Sequence, residues 1–175
     1  HLDWIPPITK ETLTAYSLRL AKKIDTEEPF SLVGLSMGGM IAAEIARHYR
    51  PAQVILISSV PSSEQLPVYF KWLGQINAHK VIPVRVMKSA AIAKRIFTAE
   101  SKEDKLILKQ VIRESNSHFI RWSVNAILKW KTKTIELPSS YIHIHGTRDE
   151  VLPLRFVQPT HTIPKGGHLM VMNRA

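Results

Sequence analysis

The feature that most constrains this chain is a glycine-flanked serine between an apolar run and a helical pattern. Residues 30–39 read Phe-Ser-Leu-Val-Gly-Leu-Ser-Met-Gly-Gly, with Ser36 between Gly34 and Gly38. A serine at the tip of such a tight strand-to-helix turn adopts a sparsely populated backbone conformation, and small neighbours let strand and helix approach closely. The following helix directs its N-terminus and the Met37 N–H towards the serine. The pattern predicts an exposed nucleophile, although an idle serine in a glycine-rich turn would have the same spacing.

Strand and helix patterns alternate around this turn. Residues 9–24 and 37–49 carry apolar positions at helical spacing, whereas residues 30–35 and 52–58 are short apolar runs typical of buried parallel strands. Residues 1–5 are interpreted as the end of a further strand. The alternation predicts an α/β protein, with a mostly parallel sheet and flanking helices that connect the strands.

The alternation stops between residues 61 and 134, where the patterns are mostly helical. Helices are predicted over residues 88–97, 101–113 and 117–130. The last of these carries a stripe of four apolar residues, namely Phe119, Trp122, Ala126 and Trp130. Such a stripe favours packing against the core over a cofactor site. We therefore predict that residues 61–134 form a helical cap inserted into the sheet.

Strand patterns resume after this insertion. Residues 141–145 and 161–163 are interpreted as strands, and a helix is expected to begin at Leu169. The α/β core is therefore expected to comprise residues 1–60 and 135–175.

Two polar residues follow these late strands in the order that a serine nucleophile requires. Asp149 follows residues 141–145, and His168 comes after residues 161–163 and a pair of glycines. In an open parallel sheet, such residues cluster beyond the carboxyl ends of the strands. A nucleophilic serine needs a base within hydrogen-bond reach, and the base needs an acid to fix its tautomer. Ser36, His168 and Asp149 are therefore the candidate catalytic residues, although Asp149 could be a turn residue only.

With these motifs the chain resembles the α/β-hydrolase family, in particular those members that have a helical lid after the sixth strand. The resemblance rests on Gly-Leu-Ser-Met-Gly-Gly at 34–39, His-Gly-Thr-Arg-Asp at 145–149 with Leu-Pro at 152–153, and Gly-Gly-His at 166–168. Residues 1–4 resemble the strand end that usually precedes the first of these motifs. The family implies hydrolysis of esters, thioesters or related acyl groups, without a metal or organic cofactor.

The resemblance also implies a role for each matching residue. Ser36 would be the nucleophile, His168 the general base and Asp149 the orienting acid. The Met37 N–H would form half of the oxyanion hole, and Gly34 and Gly38 would shape the nucleophile elbow.

Two departures from the family pattern are visible. The second oxyanion donor of the family comes from a loop after an earlier strand, and this sequence begins beyond that loop. We therefore expect an N-terminally incomplete core that lacks about three strands. Asp149 and His168 are also only 19 residues apart, so the helix between the last two strands is expected to be reduced.

Composition excludes several classes of site. The chain has no cysteine, which excludes disulfides, thiolate metal sites and a cysteine nucleophile. No integral membrane segment and no signal peptide are visible, and we expect a cytoplasmic protein.

His143 and His145 share one face of a strand. Without a third ligand at suitable spacing, packing is favoured over metal binding.

The net charge of +10 is concentrated in residues 61–134, which carry 14 Lys and Arg against 5 Asp and Glu. Solvated helix faces explain this excess most simply, and attraction of an anionic substrate or surface is the alternative. No nucleic-acid-binding signature accompanies it. We expect a small-molecule ester or acyl substrate and no nucleic acid as partner, while the oligomeric state has no sequence signature.

Several functions stay open on this basis. The first is a serine hydrolase that cleaves a small or medium carboxylic ester or thioester. An acyltransferase would use the same triad with a different acceptor, and a ligand-binding or receptor-like protein could retain the fold without activity. The triad order favours the hydrolase. Ser58 and Ser59 could lie near the site, although they also simply end a strand.

Overall fold

The computed structural model describes most of the two predicted core segments and part of the insertion, namely residues 1–77, 82–83, 86, 106, 110, 113–132 and 140–172. Apart from isolated positions, the helices predicted over residues 88–97 and 101–113 lie outside these ranges. The division into core and cap therefore stays a prediction.

Four parallel strands form one sheet in chain order among the described residues. These strands are β1 (Ser31–Leu35), β2 (Gln53–Ile57), β3 (Tyr141–Gly146) and β4 (His161–Ile163). The register sets Leu35 beside Ile57, and Ile57 beside Ile144. The carboxyl ends of all four strands thus lie at one edge, and the predicted α/β class with a mostly parallel sheet is confirmed.

Four α-helices accompany the sheet in the described part of the chain: α1 (Leu13–Ala21), α2 (Met37–His48), α3 (Val68–Gln75) and α4 (Ser117–Leu128). Helix α1 begins later than the sequence predicted. Thr12 is its N-cap, because the Thr12 side chain accepts a hydrogen bond from the Ala15 N–H at 3.1 Å.

Short 3-10 helices replace longer helices near the end of the described chain. The connection from Asp149 to β4 contains only the turn Leu154–Phe156, so the predicted reduction of this helix is confirmed. The helix expected from Leu169 is a 3-10 turn, Met170–Met172, in the described residues.

The core joins α1 and α2 to the sheet and to α4. The Trp122 ring lies 4.3 Å from the Tyr16 ring, and its Nε1–H donates to the Glu11 carbonyl at 2.9 Å. Trp130 donates to the buried carboxylate of Glu44 on α2 at 3.0 Å. The predicted packing of the apolar stripe against the core is therefore confirmed.

Residues 1–5 differ from the sequence prediction. They pair with no strand in the described part of the chain. The Tyr16 hydroxyl instead bonds both the N–H and the carbonyl of Ile5, each at 3.0 Å, and Trp4 packs on Phe119 at 5.4 Å. Side-chain contacts with α1 and α4 thus hold this segment, which the apolar pattern alone could not reveal.

Candidate active site

Ser36 occupies a strained turn between β1 and α2. Its φ of 52° and ψ of −120° place it in the left-handed region that non-glycine residues rarely adopt. Its N–H donates to the Ile57 carbonyl at 2.9 Å, and its own carbonyl accepts from the Ser59 hydroxyl at 2.7 Å. These bonds hold the strained backbone, while the Ser36 side chain stays partly exposed.

The glycines around Ser36 are not equally constrained. A Cβ at Gly34 would overlap the backbone of Gly38, so a side chain there would separate strand and helix. A Cβ at Gly38 would meet only Trp4, at 3.9 Å, and one at Gly39 would lie 2.5 Å from Ser59 Oγ. The predicted need for a small side chain at Gly38 is therefore wrong. The close approach lies at Gly39 instead, where the loop after β2 places Ser59 against the start of α2.

The three candidate catalytic side chains form one hydrogen-bonded chain. His168 Nε2 lies 2.8 Å from Ser36 Oγ, and His168 Nδ1 lies 2.8 Å from Asp149 Oδ2. His168 is 2% exposed and Asp149 is 4% exposed. The geometry thus places a base beside the hydroxyl and an acceptor behind the base, with solvent access from the serine side.

The loops that follow β3 and β4 hold this arrangement together. Gly146 is in close contact with the backbone of Gly166, and no side chain would fit between them. The Arg148 N–H donates to the Gly166 carbonyl at 2.9 Å, and the Thr147 N–H donates to the Ile163 carbonyl at 3.0 Å. Asp149 and His168 are therefore brought together by backbone pairing rather than by their own contact alone.

Asp149 is both a turn residue and the partner of a histidine. Its Oδ1 accepts hydrogen bonds from the N–H groups of Val151 and Leu152, each at 2.9 Å. Burial alone would raise the pKa of Asp149, but hydrogen bonds from His145 and His168 outweigh it and hold the pKa well below its usual range. The carboxylate is therefore ionised at neutral pH.

Two contacts of the site were not predicted from the sequence, although it left open that Ser59 could lie near the site. Ser59 supports the carbonyl of Ser36, and the only sequence signal was its position after β2. His145, interpreted as a packing residue, places its Nε2 3.3 Å from Asp149 Oδ2. The four-residue spacing across a glycine turn could have indicated this contact.

The remaining predicted residue, Met37, is the first residue of α2. Its N–H belongs to the first helical turn, where N–H groups have no acceptor within the helix. It is thus available to an anion beside Ser36. The described residues contain no group of three side chains suited to holding a metal ion. None of the described helices has the length and apolar character needed to cross a membrane.

Comparisons with known proteins agree with this architecture. Residues 6–79 match the family model of the Thioesterase domain. No curated protein matches the chain. The structure is similar to a thermophilic esterase from Thermogutta terrifontis, at 20% identity and a TM-score of 0.66, covering 97% of this chain and 69% of that one.

Two further solved structures show how widely this fold is used. An esterase from Exiguobacterium antarcticum is 18% identical with a TM-score of 0.67, over 95% of this chain and 70% of that one. A bromoperoxidase from Bacillus anthracis is 16% identical with a TM-score of 0.59, over 93% and 69% of the two chains.

The chain is therefore an α/β-hydrolase in fold, and the resemblance predicted from its motifs is confirmed. The Thioesterase domain match over residues 6–79 and the two esterase structures agree with this fold.

Proposed function

We propose that this protein is a serine hydrolase that cleaves a small or medium carboxylic ester or thioester through an acyl-enzyme on Ser36. The observation that carries the proposal is the chain of two 2.8 Å contacts from Ser36 through His168 to Asp149. A hydroxyl, an imidazole and a buried carboxylate in this order are the groups required for nucleophilic acyl transfer.

The reaction follows from the positions of these atoms. Ser36 Oγ attacks the acyl carbon while His168 Nε2 accepts its proton, and Asp149 stabilises the resulting imidazolium. The Met37 N–H donates a hydrogen bond to the oxyanion. The bond to the leaving group then breaks, and His168 returns the proton to the departing alcohol or thiol. Water attacks the acyl-enzyme in the same way, which releases the acid and restores Ser36.

The insertion is proposed to form the cap that selects the substrate. Helix α3 follows the turn after β2, and the Tyr69 hydroxyl donates to the Val151 carbonyl beside Asp149 at 3.2 Å. The α4 end of the insertion packs on α1 through Trp122. Both ends of the insertion thus contact the core, and α3 does so beside Asp149 at the carboxyl edge of the sheet. The cytoplasmic location expected from the sequence stays a prediction.

Labelling with a fluorophosphonate probe tests the nucleophile without a guess about the substrate. We expect one adduct on Ser36 by intact mass and peptide mapping, with loss of the adduct in Ser36→Ala and slow labelling in His168→Ala. Ser123→Ala, on α4, is the matched control and should label as the wild type does. An unlabelled wild type, or an adduct that survives Ser36→Ala, would contradict the proposal.

A screen of esters and thioesters then separates the substrate classes. The chain has no cysteine, so a thiol reagent detects thioester cleavage without background from the protein. Turnover lost in Ser36→Ala supports hydrolysis. Labelling without turnover of any ester or thioester in water, but with transfer to an added alcohol or amine, would favour the acyltransferase.

A further inference from the structure

The last histidine of β3 has contacts that strand packing does not require. His145 is 0% exposed, and its Nε2 lies 2.8 Å from the Leu152 carbonyl oxygen and 3.3 Å from Asp149 Oδ2. His168 Nδ1 approaches the same Oδ2 from 2.8 Å. Two imidazole rings therefore converge on one carboxylate oxygen.

The surroundings of His145 determine where this ring carries its proton. A carbonyl oxygen and a carboxylate oxygen only accept hydrogen bonds, so the Nε2 that faces both must be an N–H donor. His145 Nδ1 has no hydrogen-bond partner among the described residues. Leaving an unprotonated nitrogen buried without a partner costs less free energy than leaving an N–H group buried without an acceptor. The neutral tautomer with hydrogen on Nε2 satisfies both ends of the ring.

The neighbouring histidine of β3 provides the comparison. His143 is also 0% exposed and lies edge-on to His145, with ring centroids 5.5 Å apart. Neither of its ring nitrogens has a hydrogen bond of ordinary geometry in the described residues. His143 therefore fills space, whereas His145 is directed at polar acceptors, and the two buried rings differ in role although they share one strand face.

We propose that His145 is a positioning residue for Asp149, whose ionised carboxylate it holds towards His168 through a hydrogen bond shared with the Leu152 carbonyl. The inference rests on the proposed function. Asp149 Oδ1 is held by the Val151 and Leu152 N–H groups at 2.9 Å. Without His145, Oδ2 would be held by His168 alone. His145 does not contact Ser36 Oγ, so its effect passes through Asp149.

The shared hydrogen bond has a consequence that simple packing lacks. A second donor makes the Asp149 carboxylate a weaker base, so it competes less for the proton on His168. When that donor is removed, the Asp149 carboxylate becomes a stronger base, so Ser36 should reach its full labelling rate only at higher pH. The titratable side chains around this carboxylate, among the described residues, are His145, His168 and, behind His145, His143.

The pH profile of Ser36 labelling tests this role. We expect His145→Phe to move the pH of half-maximal fluorophosphonate labelling upward by about 0.5–1 unit, with a several-fold larger loss of rate at pH 6 than at pH 8. His145→Gln keeps an N–H at similar reach and should restore the wild-type profile. His143→Leu is the matched control on the same strand. Equal loss at every pH, or no loss, would overturn the inference.

A second measurement does not depend on activity or on a substituted ring. Long-range proton–nitrogen spectra of the wild-type protein should show His145 protonated at Nε2 and bare at Nδ1. Hydrogen on Nδ1 would overturn the inference even if Ser36 labels normally. If the wild type shows the expected tautomer but Ser36 is not labelled, the proposed function is contradicted. The contact between His145 and Asp149 would still be supported in that case.

Discussion

Burial of His143 should make the stability of this fold depend on pH. Burial lowers the pKa of His143 from 6.5 to about 4, and the backbone of Ser59 and Gln158 offsets only part of this effect. In the unfolded chain the pKa of His143 returns to 6.5. Between about pH 4 and 6.5 the unfolded state therefore binds the proton more readily than the folded state does. The free energy of unfolding therefore rises with pH across the window and falls on acidification.

The magnitude follows from the shift. At about 1.4 kcal/mol per pH unit, a change from 6.5 to about 4 corresponds to about 3 kcal/mol between neutral pH and full protonation. At pH 5 the unfolded histidine is almost fully protonated and the folded one is mostly neutral, so the loss is already about 2 kcal/mol. That is a large part of the stability of a typical domain.

Urea unfolding at pH 7 and pH 5 measures this contribution. We expect the wild type to lose about 2 kcal/mol more than His143→Leu on this acidification, because the other titrating groups are common to both proteins. His118→Leu, which removes an exposed histidine from α4, controls for loss of an imidazole elsewhere and should behave as the wild type does. Equal losses in His143→Leu and the wild type would refute the reasoning.

Two further substitutions examine the elbow and the acid. Gly39→Ala should lower the free energy of unfolding by about 1–3 kcal/mol, because its methyl group would lie 2.5 Å from Ser59 Oγ, whereas Gly38→Ala should cost far less in the same urea titration. Asp149→Asn should slow Ser36 labelling about ten-thousandfold at neutral pH. The lowered pKa of Asp149 means that its carboxylate stabilises the fold above the unfolded value of 3.8 and loses this effect as pH falls below it. The wild type should therefore lose more stability than Asp149→Asn on acidification below that value, and parallel curves would contradict this.

The sequence determined the order of elements and the candidate triad. Apolar periodicity is a local property, so β1, α2, β2 and α4 lie within two residues of their predicted bounds. Parallel strands end at one edge, so residues directly after them could be predicted to meet although 132 positions separate Ser36 from His168.

Only the tertiary structure decided which neighbours share space. Ser59 and Gly39 meet because the loop after β2 passes the start of α2, where the Ser59 hydroxyl bonds the Ser36 carbonyl. No periodicity in the sequence indicates this approach. His143 and His145 have the same pattern in the chain, yet one lacks ordinary hydrogen bonds and the other reaches Asp149. The difference depends on the path of the loop after β3, which is set by backbone contacts with the loop after β4. Contacts between distant segments leave no local pattern, and therefore the sequence alone could not determine them.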